Sequence, residues 1–213
     1  MAISKTLIEL NDATVAFLQS GEDLPKALES SILALSYNRT FLEGETVSSQ
    51  SNSSLDECML LSATGSDPST AVKSGTFIYD HAVIIPTTIE IDATIVTAIL
   101  VFNAALANHE LAESNRLYHG TRVRLLTRAK HLYQLAYISC DLEQNPLFQF
   151  ALINNIAVIE REIGNVSTAN ECFAYLFSLL IVFVDQGYDL RLRLVHGFVA
   201  NVPFSIKNAA PAA

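Results

Sequence analysis

Ile153-Asn-Asn-Ile-Ala-Val-Ile-Glu-Arg-Glu-Ile-Gly164-Asn-Val-Ser-Thr-Ala169-Asn-Glu-Cys-Phe173 is the stretch whose reading decides the fold. On either side of Gly164 the apolar residues recur at helical spacing, so two helices meet at a short turn. Helices joined so tightly approach closely only where small side chains sit at their crossing. Ala157 and Ala169 are placed to do that, with the bulky Phe173 one turn later. The spacing therefore predicts a helical hairpin, its arms covering about residues 147–163 and 167–185, with Pro146 marking its start.

Working outward, the same grammar recurs upstream. A long apolar-rich helix is predicted over about 89–113 and a second over about 121–142, with an insertion at 113–121 between them. Ala129, Tyr133 and Ala136 keep the small-and-bulky spacing, and Asn103-Ala104-Ala105 echoes Asn155-Ile156-Ala157. Residues 5–38 read as a third hairpin, with Gly21 in its turn, Pro25 in the first turn of the second arm, and Ala27 and Ala34 at the crossing. Three units is the number usually needed for such a stack to stand alone. The fold class read from the sequence is all-α: stacked antiparallel helical hairpins in a single domain, residues 1–213. A generic helical bundle with coincidental small residues is the alternative.

Two stretches break the helical pattern. Residues 41–75 shift to Ser, Thr, Asn, Gly and Asp, and are expected to form a disordered loop. Residues 77–85, within Thr76-Phe-Ile-Tyr-Asp-His-Ala-Val-Ile-Ile-Pro86, are β-branched and aromatic and predict an extended segment or small hairpin. An amphipathic piece at 189–199 precedes a tail, 203–213, expected to be loose.

The Gly164 hairpin resembles a tetratricopeptide (TPR) unit, and the resemblance extends over about residues 5–38 and 95–186. With Phe77-Ile-Tyr79, Ile153-Asn-Asn and His196-Gly-Phe-Val-Ala-Asn-Val202, the chain is similar to divergent TPR-like proteins of a kind associated with algal proteomes. The resemblance implies peptide binding on a concave surface lined by the first helix of each hairpin. Those positions are Asn11, Val15 and Leu18, then Phe102, Leu106 and His109, then Asn154, Val158 and Arg161. The family's carboxylate clamp needs a Lys and an Asn one turn apart in the first helix, where this chain has Asn11 and Val15, so an apolar or amide-bearing segment is the expected occupant. Asn11 and Asn154 either bond a ligand's backbone or bond neighbouring turns and each other. The apolar 77–85 segment is itself a candidate to fill the groove, since exposed it invites aggregation.

Composition narrows the function classes. Half the residues are apolar and 16% charged, a balance that folds rather than stays disordered. A net charge of −9 repels phosphate backbones, so neither nucleic acid nor anionic membrane is expected as a partner. Cys58, Cys140 and Cys172 are odd in number and widely spaced, which suggests neither a disulfide framework nor a zinc cluster. With no signal-peptide run at 1–10, a cytoplasmic or nuclear location is expected. The apolar run 172–184 is shorter than a spanning helix and predicts a buried one, capped by the 189–199 piece or by a homodimer partner.

Catalytic constellations are weak. His109-Glu-Leu-Ala-Glu113 lacks the second histidine of a zinc helix and reads as a solvated helix end. Asp80-His81 has no serine or cysteine in a nucleophile turn to serve. Arg122, Arg124 and Arg128 cluster near the insertion, where a phosphate site and ordinary helix-end charges are the competing readings. No catalytic residue, cofactor or metal ligand is assigned. The expectation is a non-catalytic adaptor or scaffold for a protein or peptide, the alternative a structural subunit of a homo- or hetero-oligomer.

Overall fold

The computed structural model describes residues 3–43, 54–62, 72–73, 76–87, 91–114, 117–139, 141, 144–185 and 197–201; among them the helical periods seen in the sequence become six long helices, and a seventh, short one joins them. In order they are α1 (Lys5–Ser20), α2 (Leu24–Glu43), α3 (Leu55–Ser62), α4 (Ala93–Glu113), α5 (His119–Ser139), α6 (Pro146–Glu162) and α7 (Val166–Asp185), followed by a helical turn at 197–201. Beyond helix the described residues form one two-residue antiparallel ladder, β1 (Val72–Lys73) with β2 (Thr76–Phe77), in which Val72 pairs with Phe77. The chain is all-α, and 78–86 is extended without joining a sheet.

The chain divides into two compact units. One comprises residues 1–64 and 81–148, the other 65–80 and 149–213. The division falls inside the extended segment because its two ends are held by different helices, as detailed below.

In the first unit α1 and α2 form an antiparallel pair: Ser4 at the start of α1 bonds Tyr37 near the end of α2, and Lys26 lies over Phe17 at the turn. Gly21 ends α1 in the left-handed conformation, φ 65°. α4 packs against α1, α2 and α5, which explains why fourteen of its residues are buried and why its sequence is apolar on every face. Asp92 starts it, accepting a bond from the Thr94 N–H at 2.7 Å. α5 needs cover on one side only, and buries the stripe Leu126, Ala129, Tyr133 and Ala136. The small residues expected at the crossings, Ala27, Ala34, Ala129 and Ala136, are all buried.

α3 corrects the sequence reading. It lies inside the Ser-rich interval expected to be disordered, because Leu55, Cys58, Met59 and Ser62 share one face and bury it. The Ser-rich run at 48–53, the remainder of that interval at 44–47, 63–71 and 74–75, and the 203–213 tail lie outside the described residues. α3 and the start of α6 cap each other across some ninety positions. Asn145 accepts bonds from Ser54 Oγ and from the Leu55 N–H, while both Asp56 carboxylate oxygens accept the Leu147 and Phe148 N–H groups at 2.9 Å. Those N–H groups have no partner within their own helix, and a negative charge there also meets the positive end of the helix dipole.

In the second unit Phe150 meets Phe183 and Arg161 lies over Phe173, so α6 and α7 run antiparallel. The turn between them needs Gly164, whose φ is 91°. Gly164 N–H bonds the Arg161 carbonyl and Asn165 N–H the Glu160 carbonyl, the paired bonds that close a helix through a left-handed residue. α7 departs from expectation. Only Ala169, Phe173, Leu176 and Leu180 are buried, and Tyr175, Phe177, Ile181, Val182 and Val184 are exposed. Its expected burial came from composition alone, whereas a helix paired along one stripe leaves its opposite face uncovered. α4 and α7 both have the length and apolarity to cross a membrane; the relevant window of α4 is 78% buried and that of α7 22%.

Burial pushes the Asp56 carboxyl up to about 6 against the opposing pull of its two N–H bonds. A folded-state value above the unfolded 3.8 means that the native protein binds the proton more tightly across that interval. Stability from this group is therefore full below about pH 4 and falls as pH rises through about 6. Urea unfolding as a function of pH is expected to show a shallower loss of stability over this interval in Asp56→Asn than in the parent.

Candidate functional site

An extended chain buried among helices has to find partners for its N–H and C=O groups, and beyond the Val72–Phe77 pair no strand among the described residues supplies them. Residues 77–79, 82, 83 and 85 are all buried. Asparagine is suited to the task, because its side-chain amide carries one acceptor and two donors and can pair with both polar groups of one backbone residue.

In the first unit Asn103 of α4 does this for Val83. Its Oδ1 accepts the Val83 N–H at 2.8 Å and its Nδ2 donates to the Val83 carbonyl at 2.7 Å. Nδ2 also donates to Asn11 Oδ1 at 2.8 Å, and Asn11 Nδ2 reaches the same Val83 carbonyl at 3.2 Å. The next residue along is held from α3, where Ser62 Oγ accepts the Ile84 N–H.

In the second unit the device occurs twice more. Asn155 of α6 accepts the Tyr79 N–H and donates to the Tyr79 carbonyl, both at 2.9 Å. Asn201 accepts the Phe77 N–H at 2.9 Å and donates to the Phe77 carbonyl at 2.7 Å. Asn154 ties the two clamps together: it donates to the Phe77 carbonyl and to Asn155 Oδ1, and accepts from Asn201. In an extended chain, alternate residues point their polar groups to the same edge, so Phe77 and Tyr79 offer theirs together and put their rings on one face. Those rings meet Phe198, Phe77 edge-on at 5.3 Å and Tyr79 stacked at 6.2 Å, with Phe150 behind it. Gly197 is needed for this approach, since a Cβ there would overlap the Phe77 ring.

Of the nine groove positions expected from the sequence, Asn11 and Asn154 touch the extended segment. Val15 and Val158 are buried, Leu18 is half-buried, and Leu106 is buried in α4. Phe102 and His109 face the other way: Phe102 meets Tyr133 and Phe148, and His109 meets Tyr133. Arg161 lies over Phe173. The reason is a one-residue register difference in α4, where stepping from 102 to 103 turns the side chain by about 100°. Asn103, Asn155 and Asn201 do the holding and were not in the expected set, although the echo of Asn103-Ala104-Ala105 in Asn155-Ile156-Ala157 carried the signal.

His109 is fully buried, which replaces the reading of its motif as a solvated helix end, and Glu113 pairs with Arg122 at 2.7 Å across the α4–α5 turn. Among the described residues no three His, Cys, Asp or Glu side chains are grouped as a metal site. Cys58 is buried, its thiol pushed up to about 11 by desolvation and by Glu57. No family model, curated protein or solved structure matches this chain.

Removing one clamp strands two buried backbone groups at once. Asn155→Ala is expected to lower unfolding stability by about 2–5 kcal/mol, read from the urea midpoint. Gly197→Ala, which forces the Phe77 ring from its seat, is expected to cost about 1–3 kcal/mol in the same assay.

Proposed function

We propose that the protein is a non-catalytic scaffold of the TPR-like kind, which holds extended polypeptide through asparagine side chains on the first helix of two hairpins and on the 197–201 turn. The observation that carries this reading is the repeated two-bond clamp of Asn103, Asn155 and Asn201 on single backbone residues. A clamp on N–H and C=O reads chain conformation rather than sequence, and the Phe150 and Phe198 rings add a preference for aromatic residues at alternate positions. The protein's own 77–85 segment is the occupant in this structure. Amides and rings neither titrate nor attack, which supports binding over catalysis. A reducing compartment, the cytoplasm or nucleus, belongs to the same proposal and is supported by the unpaired Cys58 and Cys172.

The test loosens the resident segment with Phe77→Asp and Tyr79→Asp, then adds a labelled synthetic peptide of residues 76–86. The peptide is expected to bind the loosened protein, provided circular dichroism shows its helices intact, and to lose most of that binding when Asn155→Ala is added. A loosened, folded protein that ignores the peptide would make the segment a core element only, and the holding reading would fall.

A subunit role in an oligomer is the second reading, favoured by the exposed Tyr175, Phe177, Ile181, Val182 and Val184 of α7. It predicts light-scattering masses above the 23.3 kDa of one chain as concentration rises, reverting to one chain in Ile181→Glu.

A further inference from the structure

α5 and α7 both bury a single stripe, but their outer faces differ in chemistry. The outer face of α7 is apolar, whereas that of α5 begins with cations. α5 carries Arg122, Arg124, Arg128 and Lys130, four of the chain's 13 Lys and Arg residues, and none of its 22 Asp and Glu residues. In a chain of net charge −9 this is a local inversion of sign. Arg122 is spoken for by Glu113. Arg124 and Arg128 are both exposed, one helical turn apart, and among the described residues neither forms an ion pair.

These arginines line an open surface hollow of about 550 Å³ on α5, together with Gly120, Val123, Thr127 and His131. It follows three turns of one helix face, and the small Gly120 and the short Thr127 leave room between the longer side chains. Beyond His131 the same face continues with Leu135 and Ile138, 48% and 76% exposed. The stripe Arg124, Arg128, His131, Leu135, Ile138 advances by alternate steps of four and three residues, the spacing by which one helix lies along another. Its first half is cationic and its second half apolar. Like charges one turn apart disfavour a helix that has no anion to offset them, so the ridge is a feature that an incoming anion relieves.

We propose that the outer face of α5 docks an acidic amphipathic helix of a partner protein, with carboxylates set against Arg124 and Arg128 and aliphatic side chains against Leu135 and Ile138. Charge complementarity selects the partner and fixes its direction along the ridge, and the two exposed aliphatic residues anchor its far end. A nucleic acid would answer the arginines but has nothing for Leu135 and Ile138, and meets repulsion from the rest of the chain. This surface shares no residue with the asparagine clamps, so either proposal can fail without the other.

The probe is a fluorescein-labelled helical peptide with glutamates along one half of its contact stripe and leucines along the other, titrated with full-length protein and read by anisotropy. Binding is expected to weaken with added salt and to fall about tenfold or more in the Arg124→Glu, Arg128→Glu double variant. Arg124→Lys with Arg128→Lys is expected to keep most of the affinity, because the partner is recognised by charge, and Leu135→Ser with Ile138→Ser to lose several-fold while leaving the salt slope unchanged. All four positions are outside the buried stripe, and circular dichroism checks that each variant stays helical. The proposal is overturned if the peptide does not bind, or if it binds the double Glu variant as well as the parent. It is equally overturned if a labelled oligonucleotide of the same charge binds as tightly as the peptide, or if the ridge proves to be filled by a second copy of the chain, seen as a dimer that the double Glu variant dissolves.

Discussion

A backbone amide carried out of water must be answered by another polar group, and this protein answers several of them with side chains instead of a sheet. Among the described residues the extended chain at 77–85 has no partner strand beyond β1, so its polar edge depends on what the helices present. Asparagine supplies in one residue what an antiparallel strand supplies in one peptide pair: an acceptor for N–H and a donor for C=O. Three such residues, on α4, α6 and the 197–201 turn, make burial of an aromatic, β-branched segment affordable within an all-helical fold. Without them the same segment would be an exposed apolar strand in each unit that holds part of it.

The clamps also dictate what else those helices can be. A helix that faces its hairpin partner on one side and the extended segment on another has little surface left for water. That is the state of α4, where Phe102 and His109 look toward Tyr133 of α5 while Asn103 looks toward Val83. The second helices of the hairpins escape this constraint. α5 and α7 each bury one stripe built on alanine and a ring, Ala129 with Tyr133 and Ala169 with Phe173. Their outer faces are therefore free to differ, and they do: arginines on one, aliphatic and aromatic residues on the other.

Local backbone geometry is matched to these tasks at a few positions. Gly164 turns the chain between α6 and α7 in a conformation that a β-carbon disfavours, and Gly197 leaves the space into which Phe77 fits. The reciprocal caps between α3 and α6 do comparable work at helix ends, Asn145 serving Leu55 and Asp56 serving Leu147 and Phe148. Each of these caps joins residues far apart in sequence, and each satisfies backbone groups that a helix cannot satisfy for itself.

The helices and their turns were legible in the sequence because the signals are local. A 3.6-residue apolar period, a glycine at a left-handed turn, a proline at a first turn and small residues at crossings all act within a few positions, and they located the six long helices, the extended segment and the alanine contacts. α3 was missed because eight residues hold too little periodic signal against a Ser-rich background, and its stability comes from Asn145 and from burial. The holding asparagines were visible only as an echo around Asn103 and Asn155: an amide declares no partner until the chain has folded, and a rotation of about 100° decides whether residue 102 or residue 103 meets the segment. By itself the sequence determined where the six long helices and the extended segment lie. Only the tertiary structure decided which polar groups they meet, because hydrogen-bond partners are set by the positions of distant atoms and not by the pattern of neighbouring ones.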